Sequence, residues 1–353
     1  MDSQQTLNTY LTTYVPLIEQ HMRRVIQESA TGKHIGAGSA NQPAAFATML
    51  NYHLGFCDAD GAPTQMYSGK RIRPILTLLS CEACGGSAMQ AMSAATAVEL
   101  LHNFSLIHDD IEDRDILRRG RPTLWKLWGD AQAINTGDAM FALAHMAMEV
   151  SPAQGIDAAQ ILHALTVFDE ACVALTVGQH LDLSFESRTD VSSTEYMEMI
   201  QGKTGALTQA ACAIGAILAG ASEDRISALA QYGAWLGIAF QLQDDVLGIW
   251  GDPELTGKTG SDLSHRKKTL PVLYAAERNP QVRDLYFRDG IPSDEDLDVL
   301  RQVIDASDSR SYTERAALDA YSQSMAALAS AQLAGPAATA LHDLANSLLG
   351  REA

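Results

Sequence analysis

Two aspartate-rich stretches, far apart in the chain, contain the side chains best suited to chemistry. They are residues 109–113 (DDIED) and residues 241–245 (QLQDD), and each ends a long apolar run typical of a buried helix. Carboxylates four positions apart project from one helix face, one turn apart. Clustered carboxylates need a positive partner, and Mg²⁺ prefers oxygen ligands and usually retains substrate phosphates. The stretches therefore predict a magnesium site; the alternative is a solvated acidic helix end.

Cationic residues accompany both stretches. Arg forks match phosphate oxygens bidentately, whereas Lys acts as a mobile point charge. Each cluster alone is more typical of a solvated surface, but their pairing with two carboxylate stretches indicates two diphosphate groups held beside metal. The clusters are Lys70, Arg71 and Arg73 in residues 69–74 (GKRIRP), then Arg118 and Arg119, then Lys258, Lys267 and Lys268.

Composition limits the classes of function. The net charge of -18 argues against nucleic acid as a partner and against anionic membranes. The N-terminal residues lack the features of a signal peptide, and no apolar run is long and uninterrupted enough to cross a bilayer. We therefore expect a soluble, cytoplasmic protein. Its cysteines are expected to be small core residues of a reduced protein: Cys57, Cys81, Cys84, Cys172 and Cys212.

Helical periodicity dominates the chain, and alternating strand patterns are almost absent. The pattern predicts an all-α domain over residues 43–353, preceded by a helical extension and loop over residues 1–42. Helices are predicted near residues 4–29, 43–55, 70–84, 87–115, 131–150, 157–187, 194–220, 223–250, 270–279, 293–306, 310–333 and 336–349.

Between about residues 65 and 275 the chain resembles the trans-isoprenyl diphosphate synthases (polyprenyl synthetases). The matching motifs occur in the family's order and are together highly specific. They are residues 69–74 (GKRIRP), 109–113 with 118–120 (RRG), 178–183 (GQHLDL), 202–204 (GKT), 240–245 (FQLQDD) and 257–271 (GKTGSDLSHRKKTLP).

The resemblance implies a single-domain bundle of long helices around a central cavity, and a homodimer. It also implies Mg²⁺-dependent, head-to-tail condensation of isopentenyl diphosphate with dimethylallyl, geranyl or farnesyl diphosphate to an all-trans product. Three Mg²⁺ ions per site are expected, with Mn²⁺ as a substitute. No side-chain nucleophile is required, because neutralised pyrophosphate leaves and the double bond attacks the allylic cation.

The resemblance also assigns roles to residues at matching positions. The metal ligands would be Asp109, Asp110, Asp113 and Asp244. Isopentenyl diphosphate would be bound by Lys70, Arg73, His102 and Arg119, although His102 is alternatively a neutral core histidine. The allylic diphosphate would be bound by Arg118, Lys203, Lys258 and Lys267. The developing carbocation would be steadied by Thr204, Gln241 and the carbonyl of Lys203, and the cavity lined by Gln179 and Asp182.

The second acidic stretch departs from the family pattern, because Gly248 stands where the last Asp of D-D-x-x-D is usual. Gly248 cannot assist metal binding. Asp252 could partly replace the missing carboxylate, but a structural role at the end of the helix, at residues 251–253, is favoured. We still expect an active enzyme, with a non-catalytic regulatory subunit as the alternative. A class I terpene cyclase is disfavoured, because it would not need residues 69–74.

Product length depends on the residues one turn before Asp109. Ser105 lies below Asp109 on the same helix face and Phe104 flanks it. A small residue beside an aromatic ring resembles family members that stop at geranylgeranyl diphosphate (C20). Farnesyl (C15) and C25 products are the alternatives, and Phe104 is alternatively ordinary core packing.

Overall fold

The computed structural model describes residues 3–30, 42–64, 69–148, 155–251, 261–288 and 293–349. These residues confirm an all-α fold. The helices are α1 (Ser3–Ala30), α2 (Gln42–His53), α3 (Ile72–Ala83), α4 (Ala88–Glu112), α5 (Leu124–Trp128), α6 (Asp130–Ala147), α7 (Ala158–Glu186), α8 (Ser193–Ile200), α9 (Ala206–Leu218), α10 (Glu223–Trp250), α11 (Ser261–Ser264), α12 (Leu270–Arg278), α13 (Pro280–Tyr286), α14 (Asp294–Ala306), α15 (Ser309–Ser330) and α16 (Pro336–Leu349).

Two short elements interrupt the helical pattern. Strands β1 (Leu117–Arg118) and β2 (Arg121–Pro122) form an antiparallel hairpin after α4. A π-helical turn, Gln201–Gly205, joins α8 to α9, where the sequence predicts one unbroken helix. The expected helix near residues 70–84 begins only at Ile72, because Arg71 has a left-handed backbone with φ 51°.

Several helix starts follow from local hydrogen bonding. The α4 and α8 starts carry capping boxes, Ser87 with Gln90 and Ser192 with Glu195. In each, the two side chains satisfy backbone N–H groups that the first helical turn leaves without partners. These signals explain why α4, which ends in the first acidic stretch, starts where it does.

The chain divides into two compact units, and the first comprises Met1–Phe168, Ile214–Ala221 and Ala334–Ala340. Its central helix α4 buries small side chains against α3 and α6, which permits close packing. Helix α1 adds Ile18 and Met22 to this core, and Tyr14 donates a hydrogen bond to Glu82 Oε1 on α3 at 2.6 Å. The boundary between the N-terminal extension (residues 1–42) and the all-α domain (residues 43–353) stays a prediction.

The second unit comprises Asp169–Ala213, Ser222–Leu333 and Leu341–Ala353. Helix α10 packs along α15, and its Tyr232 is buried with its hydroxyl donating to the Leu341 carbonyl at 2.8 Å. Ser324 of α15 donates to the Tyr232 carbonyl at 2.9 Å. These bonds fix the helix that carries the second acidic stretch.

The cysteine prediction is confirmed for four of the five thiols. Cys57, Cys81, Cys172 and Cys212 are buried, and Cys84 is half-buried. Burial raises the pKa of Cys81 and of Cys172 to about 12. The thiols therefore act as small apolar side chains.

Helix α7 is the one described helix that is long and apolar enough, by length and composition, to cross a membrane. This differs from the expectation that no segment passes that test. Its apolar window is 33% buried. Core helices of soluble proteins can be equally long and apolar.

Three glycines let helices of the second unit approach the π-helical turn closely. A Cβ on Gly178 of α7 would collide with the Lys203 backbone, and one on Gly202 would lie 2.9 Å from the Ala174 carbonyl. On α10, a Cβ on Gly237 would collide with Thr208 and lie 3.2 Å from the Thr204 carbonyl. Because these three glycines have no side chains, the neighbouring helices can approach the turn closely, and this close packing sets the position of Lys203 and Thr204.

We predict that Gly178→Ala lowers the free energy of unfolding by about 1–3 kcal/mol, because the methyl group must displace the Lys203 backbone. The matched control is Gly205→Ala, whose Cβ would lie 3.5 Å from its nearest neighbour, an ordinary contact. Urea denaturation of both variants measures the difference. Equal stability of the two variants would contradict the steric argument.

Candidate active site

The first acidic stretch forms the last turn of α4 and its cap. The Asp113 N–H donates to the Asp109 carbonyl at 2.8 Å, so the two residues lie one turn apart. Asp109 is half-buried and Asp113 is exposed. Both carboxylates therefore lie on the same accessible side of the helix, as the four-residue spacing predicts.

Asp110 has a different environment from its two neighbours. It is 2% exposed and accepts a hydrogen bond from Arg118 Nε at 2.5 Å. Burial raises the pKa of Asp110 to about 6, and Arg118 opposes that rise. One oxygen of Asp110 thus orients a guanidinium group, which distinguishes this carboxylate from Asp109 and Asp113.

The hairpin that carries Arg118 turns sharply through Arg119 and Gly120. Both have left-handed backbones, with φ 54° and 74°, as a two-residue hairpin turn requires. Thr123 Oγ1 donates to the Asp115 carbonyl at 2.8 Å and anchors the hairpin to the end of α4. The turn therefore brings two consecutive arginines to the acidic helix end.

A second group of predicted residues meets nearby in the first unit. Arg73 Nη1 lies 3.2 Å from His102 Nε2, and a Cβ on Gly69 would lie 3.0 Å from the Arg119 guanidinium. Lys70 is exposed beside Gly69. Burial, Arg73 and Arg119 lower the pKa of His102 well below its usual value, so the neutral imidazole accepts the Arg73 N–H.

Arg71 has a structural role that its position in the motif does not reveal. It is 2% exposed, pairs with Glu99 at 2.6 Å and donates to the Leu54 carbonyl at 3.2 Å. The three cations of residues 70–73 therefore differ in environment, because Arg71 is buried in the core, Arg73 is half-buried and Lys70 is exposed.

Arg118 and Arg119 also line a small cavity of about 30 Å³ in the first unit. The cavity walls also include three residues outside the predicted site: Tyr52, His53 and Arg121. The signal available for Arg121 was its place beside Arg118–Gly120. Nothing in the local sequence marks Tyr52 or His53, because the hairpin that they contact is distant in the chain.

In the second unit, the π-helical turn joins two further predicted groups. Lys203 Nζ forms an ion pair with Asp182 at 2.6 Å. The Thr204 hydroxyl donates to Gln241 Oε1 at 3.1 Å. Gln179 lies one turn before Asp182 on α7 and is half-buried. Lys258 and Asp252 lie outside the described residues, and Lys267 is exposed.

The second acidic stretch contains one accessible and one enclosed carboxylate. Asp244 is half-buried, whereas Asp245 is 1% exposed. Asp245 accepts hydrogen bonds from the Tyr196 hydroxyl, the Leu270 N–H at 3.1 Å and Gln241 Nε2 at 3.1 Å. Burial raises the pKa of Asp245 to about 6. Gly248 is buried in α10.

The chain-length candidates lie within a row of rings. Phe104 contacts His108 and Phe141, with ring centroids 4.8 and 5.0 Å apart. The row continues through His145, 4.5 Å from Phe141, to Phe168, a further 5.2 Å away. Ser105 donates to the His102 carbonyl at 2.9 Å. Helices α6 and α7 thus contribute rings that the sequence did not indicate.

The sequence model of the polyprenyl synthetase family matches residues 62–306. The chain is 41% identical over 313 residues to a (2E,6E)-farnesyl diphosphate synthase from Mycobacterium tuberculosis, covering 86% of each chain. It is 43% identical over 244 residues to a geranylgeranyl diphosphate synthase from the same organism, covering 69% of this chain and 68% of the relative. The crystal structure of a polyprenyl synthetase from Streptomyces coelicolor A3(2) superposes with a TM-score of 0.85 at 35% identity, covering 99% of this chain and 100% of that chain.

We predict that neutral His102 makes stability fall at acid pH. The unfolded histidine binds a proton below pH 6.5, whereas the folded one stays neutral, so folding is disfavoured as pH drops through that value. His102→Gln should remove about 1.4 kcal/mol of the stability difference between pH 7.5 and 5.5. Urea denaturation at both pH values measures this, and the exposed His180 supplies the control variant His180→Gln. Parallel pH profiles for wild type and His102→Gln would contradict the assignment.

Proposed function

Because the chain belongs to the polyprenyl synthetase family, we propose that it condenses isopentenyl diphosphate head to tail with allylic diphosphates. The product is an all-trans short-chain prenyl diphosphate, chiefly geranylgeranyl diphosphate. The chain is a prenyltransferase, as its curated relatives are. The observation that carries the proposal is the accessible pair Asp109 and Asp113 in the same unit as the two arginines Arg73 and Arg119 and the neutral His102.

The accessible carboxylates fit a divalent cation. Asp109 and Asp113 offer hard oxygen donors one turn apart, and Asp244 offers another in the second unit. When bound, Mg²⁺ neutralises the charge of the departing pyrophosphate. We infer that Asp109, Asp110 and Asp113 would hold such ions on the allylic diphosphate in the first unit, and that Asp244 would be a metal ligand in the second unit. The bond between Asp110 and Arg118 supports a positioning role for Asp110 in addition to its predicted role as a ligand.

Isopentenyl diphosphate is assigned to the group of Lys70, Arg73, His102 and Arg119. Guanidinium forks of Arg73 and Arg119 suit two phosphate oxygens each, and exposed Lys70 adds a mobile charge. Neutral His102 keeps the Arg73 fork oriented without adding a charge of its own. The substrate double bond is thereby held for attack, which removes the entropic cost of a two-body encounter.

The π-helical turn supplies oxygens for the developing allylic cation. Gln241 donates through Nε2 to Asp245, so its Oε1 is directed to the Thr204 hydroxyl. A π-helical turn also widens the backbone and is frequent at functional sites. We assign Thr204, Gln241 and the Lys203 carbonyl to stabilisation of the cation by preorganised dipoles.

The allylic diphosphate is assigned to Arg118, Lys203, Lys258 and Lys267. Asp110 orients Arg118, and Asp182 holds Lys203 at 2.6 Å, so two of these cations are preorganised. The departing pyrophosphate then accepts the proton that restores the alkene, and no basic side chain is needed. Resemblance to the family further favours a homodimer.

The decisive test is incubation of the protein with isopentenyl diphosphate, each allylic starter and Mg²⁺, followed by chromatography of the products. We expect a prenyl diphosphate, mainly C20. Release of a hydrocarbon would instead identify a terpene cyclase, and absence of turnover would favour a regulatory subunit.

The same assay tests the metal ligands. Asp109→Ala or Asp113→Ala should reduce kcat by about 10³-fold or more, because charge stabilisation of the leaving group is lost. Asp130→Ala removes an exposed carboxylate that pairs with Arg114 on the surface, and it should leave kcat unchanged. Equal kcat values for Asp113→Ala and Asp130→Ala would show that the acidic helix end is merely solvated.

The aromatic row gives a prediction about product length. Phe104→Ala should remove a ring that contacts Phe141 and shift products beyond C20, whereas Ser105→Phe should stop growth near C15. Because Phe104 is only half-buried, its loss should cost less than the ~3–5 kcal/mol of a fully buried Phe. An active Phe104→Ala enzyme with an unchanged product profile would place the length limit elsewhere.

A further inference from the structure

His53 ends α2 between two residues whose backbone carbonyls are both held by arginines. Arg121 Nη1 donates to the Tyr52 carbonyl at 2.9 Å, and Arg71 Nη2 donates to the Leu54 carbonyl at 3.2 Å. Hydrogen bonds from charged donors to neutral carbonyls are stronger than those between neutral groups. The backbone on either side of His53 is therefore fixed.

Further contacts join this segment to the hairpin. The Tyr52 hydroxyl donates to the Pro122 carbonyl at 2.8 Å, and the Arg121 guanidinium lies 3.8 Å from the centre of the Tyr52 ring. Arg121 Nη2 also donates to the Cys57 carbonyl at 2.8 Å. Because the hairpin carries Arg118 and Arg119, these contacts fix His53 relative to both arginines.

The His53 side chain lines the same cavity as Asp110, Arg118 and Arg119. Its Nε2 atom is shielded from solvent and has no hydrogen-bond partner among the described residues. Buried polar atoms of native proteins are nearly always hydrogen-bonded, so the missing partner of His53 Nε2 calls for an explanation.

The surrounding charges identify the chemistry of a missing partner. Burial, followed by Arg118, Arg119, Arg71 and Arg121, lowers the pKa of His53 well below its usual value. The imidazole is therefore neutral at pH 7 and carries one N–H donor. A site ringed by guanidinium groups repels metal cations and attracts anions, so a phosphate oxygen is the acceptor that fits.

We propose that His53 contacts substrate, donating a hydrogen bond from Nε2 to a diphosphate oxygen of isopentenyl diphosphate. This inference rests on the proposed function. Isopentenyl diphosphate is favoured over the allylic diphosphate because Arg119 adjoins Gly69 and the Arg73–His102 pair, whereas Arg118 is engaged by Asp110.

The test compares His53→Phe, which keeps the ring size without a donor, with His53→Gln, whose amide can donate. His53→Phe should raise the KM for isopentenyl diphosphate about 10- to 100-fold, as expected for loss of a hydrogen bond to a charged group. The KM for the allylic substrate and kcat should change less than about twofold. His53→Gln should recover part of the loss, and half-buried His163 supplies the control variant His163→Phe.

Stability separates a substrate contact from a structural one. Because Nε2 has no protein partner, His53→Phe should keep the Tm of the wild type, whereas a residue that holds the fold would lower it. Calorimetric titration with isopentenyl diphosphate should give the same 10- to 100-fold weakening without any turnover.

Several outcomes would overturn the inference. They are an unchanged KM in folded His53→Phe, weakening confined to the allylic substrate, or a His53→Gln variant as impaired as His53→Phe. If wild-type protein gave no product, the proposed function would fail. Titration would still decide the His53 contact, since wild-type binding without weakening in His53→Phe would overturn it, as would no wild-type binding at all.

Discussion

The buried ion pair between Arg71 and Glu99 is the contact on which the cationic pocket of the first unit depends. Arg71 takes a left-handed backbone just before α3, and its side chain reaches Glu99 on α4 and the Leu54 carbonyl after α2. Asn103 adds a 3.0 Å bond to the same Glu99 oxygen. Removing one partner of such a buried pair costs about 3–5 kcal/mol. The contacts therefore hold α4, the start of α3 and the residue after α2 together, and they fix the backbone from which Lys70 and Arg73 project.

The second unit uses an enclosed carboxylate in the same way. Asp245 joins α8, α10 and α12 through Tyr196, Gln241 and the Leu270 N–H. Its raised pKa reflects the cost of burial, which its three donors oppose together with Lys267. In both units a buried ionisable residue lies next to a proposed site residue: Arg71 beside Lys70 in the first unit, and Asp245 beside Asp244 in the second. The hydrogen bonds of the buried residue fix the backbone from which the site residue projects.

Sequence reasoning succeeded where the helical period decides geometry. Asp109 and Asp113 share a face because four residues nearly complete a turn, and this follows from spacing alone. It could not find the π-helical turn, since the apolar pattern of residues 194–220 predicts an unbroken helix and the close approach of Gly178 and Gly237 is a tertiary contact. Nor could it find the partners of Asp110 or the surroundings of His53, because both depend on a hairpin whose placement is tertiary.

Backbone strain in this protein is concentrated at arginines near the proposed chemistry. Arg71, Arg114 and Arg119 in the first unit and Arg266 in the second have φ between 51° and 57°. A left-handed backbone costs a non-glycine residue about 1–2 kcal/mol, and such strain persists only where surrounding contacts over-determine it. Arg71 has those contacts in the buried Glu99 and in the Leu54 carbonyl, which offset its strain. The strain at Arg119 has a different consequence, since it closes the turn that brings Arg118 and Arg119 to one cavity. Diphosphate binding therefore draws on arginines whose directions are set before the substrate arrives, which is the condition for electrostatic preorganisation.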